Sequence, residues 1–133
     1  ETLATGNFDL VIAANVFHHI PLDERVAALQ LCARILKPNC GRLFLFEHNP
    51  LNPATRWVFE RCEFDRGASM LSRRECLALG DAAGLQRMRS DYTLFFPKQL
   101  ALFRPLEQWM GWIPLGAQYC LEFSKQTEAE CLK

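Results

Sequence analysis

Apolar residues gather in two short runs that polar groups close. Phe8–Ala14 reads Phe-Asp-Leu-Val-Ile-Ala-Ala and gives way to Asn15, His18 and His19. Arg42–Glu47 repeats the plan and leads into His48 and Asn49. Runs this short and this apolar predict parallel strands buried on both faces. Between them, Pro21 suits a helix start, with Asp23 and Glu24 in the first turn. Val26, Leu29, Ala33 and Leu36, with Ile35 beside them, recur at helical spacing. Arg34 and Lys37 fall in the last turn, and Pro38 stops it. The unit is strand, helix, strand. Its chemistry gathers at the carboxyl ends of both strands, where open α/β sheets bind ligands.

The rest of the chain continues the alternation. Asn52 is placed to cap a helix with Pro53 at its first position, running to about Glu63. Phe64–Leu71 is irregular. Ser72 and Glu75 form a capping box for a helix through Cys76, Leu77, Leu79 and Ala83, which Gly84 ends. Gln86–Phe96 reads as a strand, and Pro97–Pro114 as irregular with a short helix near Leu106–Trp112. Ala117–Ser124 is the last strand, and 126–133 a polar tail.

Composition narrows the function classes. A chain of 133 residues, half of them apolar, makes one domain with a real core. Fifteen acidic and fifteen basic residues give no basic excess for nucleic acid and no polybasic run for anionic lipid. No apolar run reaches the ~20 residues of a membrane-spanning helix. The six cysteines form no Cys-x-x-Cys pair and no secretory signal precedes them. They read as reduced thiols in a cytoplasmic protein. Glu1–Asn7 leads as a loop straight into a core strand, an unusual place for a native amino terminus.

Phe8-Asp9-Leu-Val, then His18-His19-Ile, then Leu36-Lys37-Pro38 followed by Gly41, resembles the class I S-adenosylmethionine-dependent methyltransferases. In that family the fourth strand begins Phe-Asp-x-Val, and a helix ending Leu-Lys-Pro feeds the fifth. Leu71-Ser72, Glu75 and Ala83-Gly84-Leu85 are similar to the family's next helix and its entry into strand six. The resemblance spans roughly Phe8 to Ser124. It implies a Rossmann-like mixed α/β sheet of family strands four, five, seven and six, with the last antiparallel and helices on both faces. It implies S-adenosylmethionine as cofactor and a small-molecule methyl acceptor. The family's glycine-rich loop and its ribose-binding carboxylate are absent, since the sequence holds no Gly-x-Gly. Cys40 also replaces the first glycine of the turn after Leu-Lys-Pro. Residues 1–125 therefore resemble the carboxyl-terminal part of the domain, expected to bind the cofactor weakly alone. The competing reading is a non-catalytic methyltransferase-like module serving as partner or scaffold.

The family position after strand four lies beside the methionine end of the cofactor, which assigns Ala14, Asn15 and Val16 to it. Asn15 also reads as a loop asparagine satisfying its own turn. His18 and His19 are adjacent, and neighbours on a helix or strand do not share a face, so no metal site is expected. His19, rather than His18, is expected to face the pocket and accept a proton. Glu47 either orients or deprotonates the acceptor, or bonds backbone N–H groups. Phe95, Phe96, Phe103, Trp109 and Trp112 are expected to pack on the sheet, with a lid or membrane-surface patch as the other readings. Without a strand-one partner, Phe8–Ala14 is left as a sheet edge, and a homodimer through that edge is expected.

Overall fold

The computed structural model describes residues 5–125; residues 1–4 and the expected tail over 126–133 lie outside them. Its strands are β1 (Leu10–Ala14), β2 (Arg42–His48), β3 (Leu85–Thr93) and β4 (Gln118–Lys125). They form one mixed sheet in the order β1-β2-β4-β3. β1 and β2 are adjacent and parallel, with Leu10 opposite Arg42 and Ala14 opposite Phe46. β4 runs antiparallel to both of its neighbours. This is the expected sheet.

The pleat sorts the side chains. Leu43, Leu45, Tyr119, Leu121 and Phe123 alternate along β2 and β4 and are buried on one face. They pack with Leu29 and Ala33 of α1 (Arg25–Ile35) and Cys76 of α3 (Arg73–Ala82). Burying a side chain of this size contributes ~1.5–3 kcal/mol. Phe44, Phe46, Cys120 and Glu122 face the other way. A cavity of about 330 Å³ separates them from Glu107, Gln108 and Gly111 of the segment that follows β3. Helical elements thus flank both faces.

The motifs have a mechanical reason. Lys37 Nζ donates to both oxygens of Asp9, at 2.7 and 2.8 Å. That bond holds the Lys37 pKa above its usual value. Lys37 N donates to Phe8 O and Arg42 N to Asp9 O, both at 2.9 Å. The Phe-Asp and Leu-Lys-Pro segments therefore lie side by side. A Cβ on Gly41 would sit 2.7 Å from Lys37 O and 2.8 Å from Lys37 N, so only glycine fits the turn between them.

Several boundaries move. Pro21–Glu24 is a turn closed by Glu24 N donating to Pro21 O, and α1 starts at Arg25. It ends at Ile35 because Leu36 is extended and Lys37 leaves to meet Asp9. α2 (Pro53–Phe59) is shorter than expected, and a separate 3₁₀ turn covers Glu63–Asp65. Both caps form: Asn52 Oδ1 accepts from Thr55 N at 3.0 Å, and Ser72 and Glu75 close their box. β3 stops at Thr93, not Phe96, because Leu94 adopts φ +58°. The helical stretch after it is a kinked 3₁₀ segment over Lys98–Trp109, earlier than expected.

Two burial expectations also change. Among the described residues β1 pairs only with β2, and its apolar run is not buried on both faces; Leu10 is 49 % and Ile12 61 % exposed. Phe95 and Phe96 are half-buried, but Phe103, Trp109 and Trp112 are exposed, the last at 77 %. The sheet does not take up those three rings: Phe103 and Trp109 stand on the 3₁₀ segment and Trp112 follows it, all with their faces in solvent. Among the described residues, no helix is long and apolar enough to cross a membrane.

Candidate active site at the carboxyl ends of the parallel strands

Asn15 leaves β1 with φ +53°, a conformation asparagine tolerates better than most residues. The chain then makes a single 3₁₀ turn, Phe17–His19. Glu47 lies opposite, near the end of β2, and is 1 % exposed. Its Oε1 accepts the Phe17 N–H at 2.7 Å, and its Oε2 lies 2.6 Å from His18 Nδ1. A carboxylate can only accept, so His18 Nδ1 donates to Glu47, and Nε2 is turned toward Asp65. Glu47 therefore orients His18. Both of its oxygens are engaged inside the fold, one of them by a backbone N–H.

Two further segments complete the cluster. Asp65, from the 3₁₀ turn after α2, places Oδ1 3.3 Å from His18 Nε2 and 3.5 Å from His19 Nε2. Ser69 N donates to His18 O at 2.9 Å. Arg25 is buried and donates to Ile20 O and Ser69 O, which ties the His18 loop to the Asp65 loop. The two adjacent histidines were not expected to share a face, yet both ring Nε2 atoms approach Asp65 Oδ1. One tight turn, met by a carboxylate from a remote loop, brings both onto the same group. His18 is buried, whereas the His19 side chain is 45 % exposed.

A cavity of about 620 Å³ opens beside this cluster. Val58 and Phe59 of α2 and Phe95 and Phe96 after β3 supply its apolar wall. His48, Asn52, Thr55, Asp65, Arg104 and Gln118 supply its polar groups, while Glu47 and His19 are not among its lining residues. The His48 ring stands 5.3 Å from His18 and edge-on to Phe59. Burial, with His18 beside it, pushes the His48 pKa down. His48 and Asp65 were missed as site residues. Strand alternation does place His48 on the face opposite Glu47, but nothing local marks Asp65, which lies in a polar loop.

Ala14 and Val16 are exposed at the open end of β1, and Asn15 is half-buried. Asn15 Oδ1 accepts from Gln118 Nε2 at 3.2 Å, joining the end of β1 to the start of β4. Asp9 O and Asn15 N both bond toward β2. The backbone groups of Leu10, Ile12 and Ala14 consequently point out of the open edge.

Residues 2–45 match the sequence pattern of a methyltransferase domain. No curated protein matches the chain by sequence. Among solved structures, a SAM-dependent methyltransferase from Archaeoglobus fulgidus superposes with a TM-score of 0.69 at 12 % identity, over 92 % of this chain and 62 % of that one. One from Thermotoga maritima gives 0.72 at 22 % identity, over 93 % of this chain and 59 % of that one. An O-methyltransferase of neocarzinostatin biosynthesis, in complex with S-adenosyl-L-homocysteine and 1,4-dihydroxy-2-naphthoic acid, gives 0.58 at 16 % identity, over 89 % and 29 %. The chain thus spans about three fifths of the length of the first two. Residues 2–45 carry the methyltransferase-domain pattern, and the chain has the class I S-adenosylmethionine-dependent methyltransferase fold from that family's fourth strand onward.

Proposed function

We propose that residues 1–125 are the acceptor-side part of a methyltransferase domain that uses S-adenosylmethionine to methylate a small molecule with an apolar portion. The observation that carries this is the 620 Å³ cavity, apolar with a few convergent polar groups, at the carboxyl end of β2 in a sheet of this fold. The aromatic acid held by the neocarzinostatin-pathway O-methyltransferase supports a small acceptor.

Ala14, Asn15 and Val16 fit the methionine end of the cofactor. They stand at the open end of β1, and the left-handed Asn15 turns the backbone there. The sequence holds no Gly-x-Gly, so these residues fit that end of the cofactor alone. When bound, the cofactor supplies a methyl group on a positively charged sulfur. The chain's own residues position the acceptor, which is most of what such a displacement needs. Val58, Phe59, Phe95 and Phe96 hold its apolar part and exclude water. Thr55 and Gln118 offer hydrogen bonds, and His48 stands where it can take the acceptor's proton on its ring nitrogen. Unpaired thiols among the described residues fit a cytoplasmic setting.

The test uses the intact protein with labelled S-adenosylmethionine and a panel of small phenols, amines and thiols. His48→Ala is expected to lower kcat by about 10²–10⁴-fold with cofactor affinity kept. Failure of the intact protein to bind the cofactor by calorimetry overturns the reading. Unchanged kcat in His48→Ala removes His48 from it.

A further inference from the structure

We propose that His18, His19 and Asp65 form a binding site for a divalent transition metal of the zinc type, with a fourth position left open. One donor atom from each of the three residues lies within 4.8 Å of the others. Two of the separations, from Asp65 Oδ1 to the Nε2 atoms of His18 and His19, are 3.3 and 3.5 Å. In a tetrahedral zinc site with bonds of ~2.0–2.1 Å, neighbouring donors stand roughly 3.3–3.4 Å apart. The cluster is therefore near metal-binding dimensions without a large movement.

The second observation is independent of the three donors. Metal-bound histidine almost always gives its other ring N–H to a carboxylate or carbonyl, which fixes the tautomer and the ring plane. His18 has that arrangement: Glu47 Oε2 takes Nδ1–H at 2.6 Å inside the core, while Nε2 points at Asp65. Glu47 is itself held by the Phe17 N–H. The two loops are pinned by Ser69 N on His18 O and by Arg25 on Ile20 O and Ser69 O. A buried carboxylate–histidine pair with its free nitrogen aimed at a second carboxylate and a second imidazole is the preorganisation a metal needs. Metal entry displaces any proton shared between His18 Nε2 and Asp65 Oδ1.

The ligand set, two imidazoles and one carboxylate, suits zinc, cobalt or iron(II) better than magnesium. Asp65 also lines the cavity, so the open position lies at its edge. A water there, or an oxygen, nitrogen or sulfur atom of the acceptor, completes the coordination. That use of the open position rests on the methyltransferase reading; the binding of metal does not.

The test therefore needs no activity. Chelator-treated protein is titrated with Co²⁺, followed by visible absorption, and with Zn²⁺ by calorimetry. The expected result is one ion at the cluster with the intense absorption of a four-coordinate cobalt site. Asp65→Asn and His19→Gln should each weaken binding at least tenfold, and Glu47→Gln by about 10–100-fold. His19 is largely exposed, so His19→Gln keeps the test valid even where another variant folds poorly. Absence of binding, or binding that neither His19→Gln nor Asp65→Asn weakens, as capture by thiols elsewhere would give, overturns the proposal. Metal binding without methyl transfer would instead count against the methyltransferase reading.

Discussion

Glu47 Oε2 stands 2.6 Å from His18 Nδ1, and both residues are almost wholly buried. Removing one member of such a pair strands the other, at a cost of about 3–5 kcal/mol. Glu47→Ala should lower unfolding free energy by that amount in urea titrations. Glu47→Gln keeps an acceptor for one donor and should cost less. A Glu47→Ala loss below about 0.5 kcal/mol, the range of ordinary surface changes, would contradict the structural role.

Gly41 is bound to its turn by the Lys37 backbone. The two nearest colliding atoms are main-chain and the third is the Leu36 Cβ, so none can swing away as a side-chain tip would. Gly41→Ala is expected to destabilise by about 1–3 kcal/mol, the range for forcing an extra carbon into a packed site. The neighbouring Cys40 is exposed, and Cys40→Gly should stay near neutral. Thermal melts of the two variants make the comparison, and equal shifts would dismiss the close approach as the cause.

The thiols should differ sharply in reactivity. Burial pushes the Cys76 thiol up to about 12, and that of Cys120 to about 11. Tyr119 Oη also meets Cys76 Sγ at 3.1 Å. The thiolate is the nucleophile, so a raised pKa slows alkylation. Iodoacetamide at pH 8 should label exposed Cys40 before Cys120 and Cys76. Mass mapping that finds Cys76 labelled first would show that its surroundings open readily.

The edge of β1 presents outward-facing backbone groups together with exposed Leu10 and Ile12. Such an edge is a template for another strand. We expect this chain on its own to pair through it, most simply about a two-fold axis. Light scattering should give the mass of two chains, and Leu10→Lys with Ile12→Lys should restore one. A monomer of the unchanged chain at micromolar concentration would end the idea.

The order of elements was legible because each depends on neighbours in sequence. Ser72 and Glu75 cap α3 across three residues, and the apolar runs of β1 and β2 carry their own strand signal. Leu36-Lys37-Pro38 and Phe8-Asp9 could be recognised as motifs, and the Asp9–Lys37 bond is what couples them. The local pattern also placed Asn15, His18, His19 and Glu47 at the carboxyl ends of the parallel strands. It could not assign their roles, because those depend on contacts across tens of residues. Glu47 became the partner of His18, since the pleat turns it into the core. Asp65 entered the site from an unremarkable loop because Arg25 and Ser69 fasten that loop to the His18 turn. His48, one residue past Glu47, took the opposite face of β2 and with it the cavity. The run Phe8–Ala14 fixed a strand, but only the sheet order decided that one of its edges stays open. Sequence determined the elements and the chemistry available; packing decided which atoms meet, because hydrogen bonds and burial are made between segments that the chain order keeps apart.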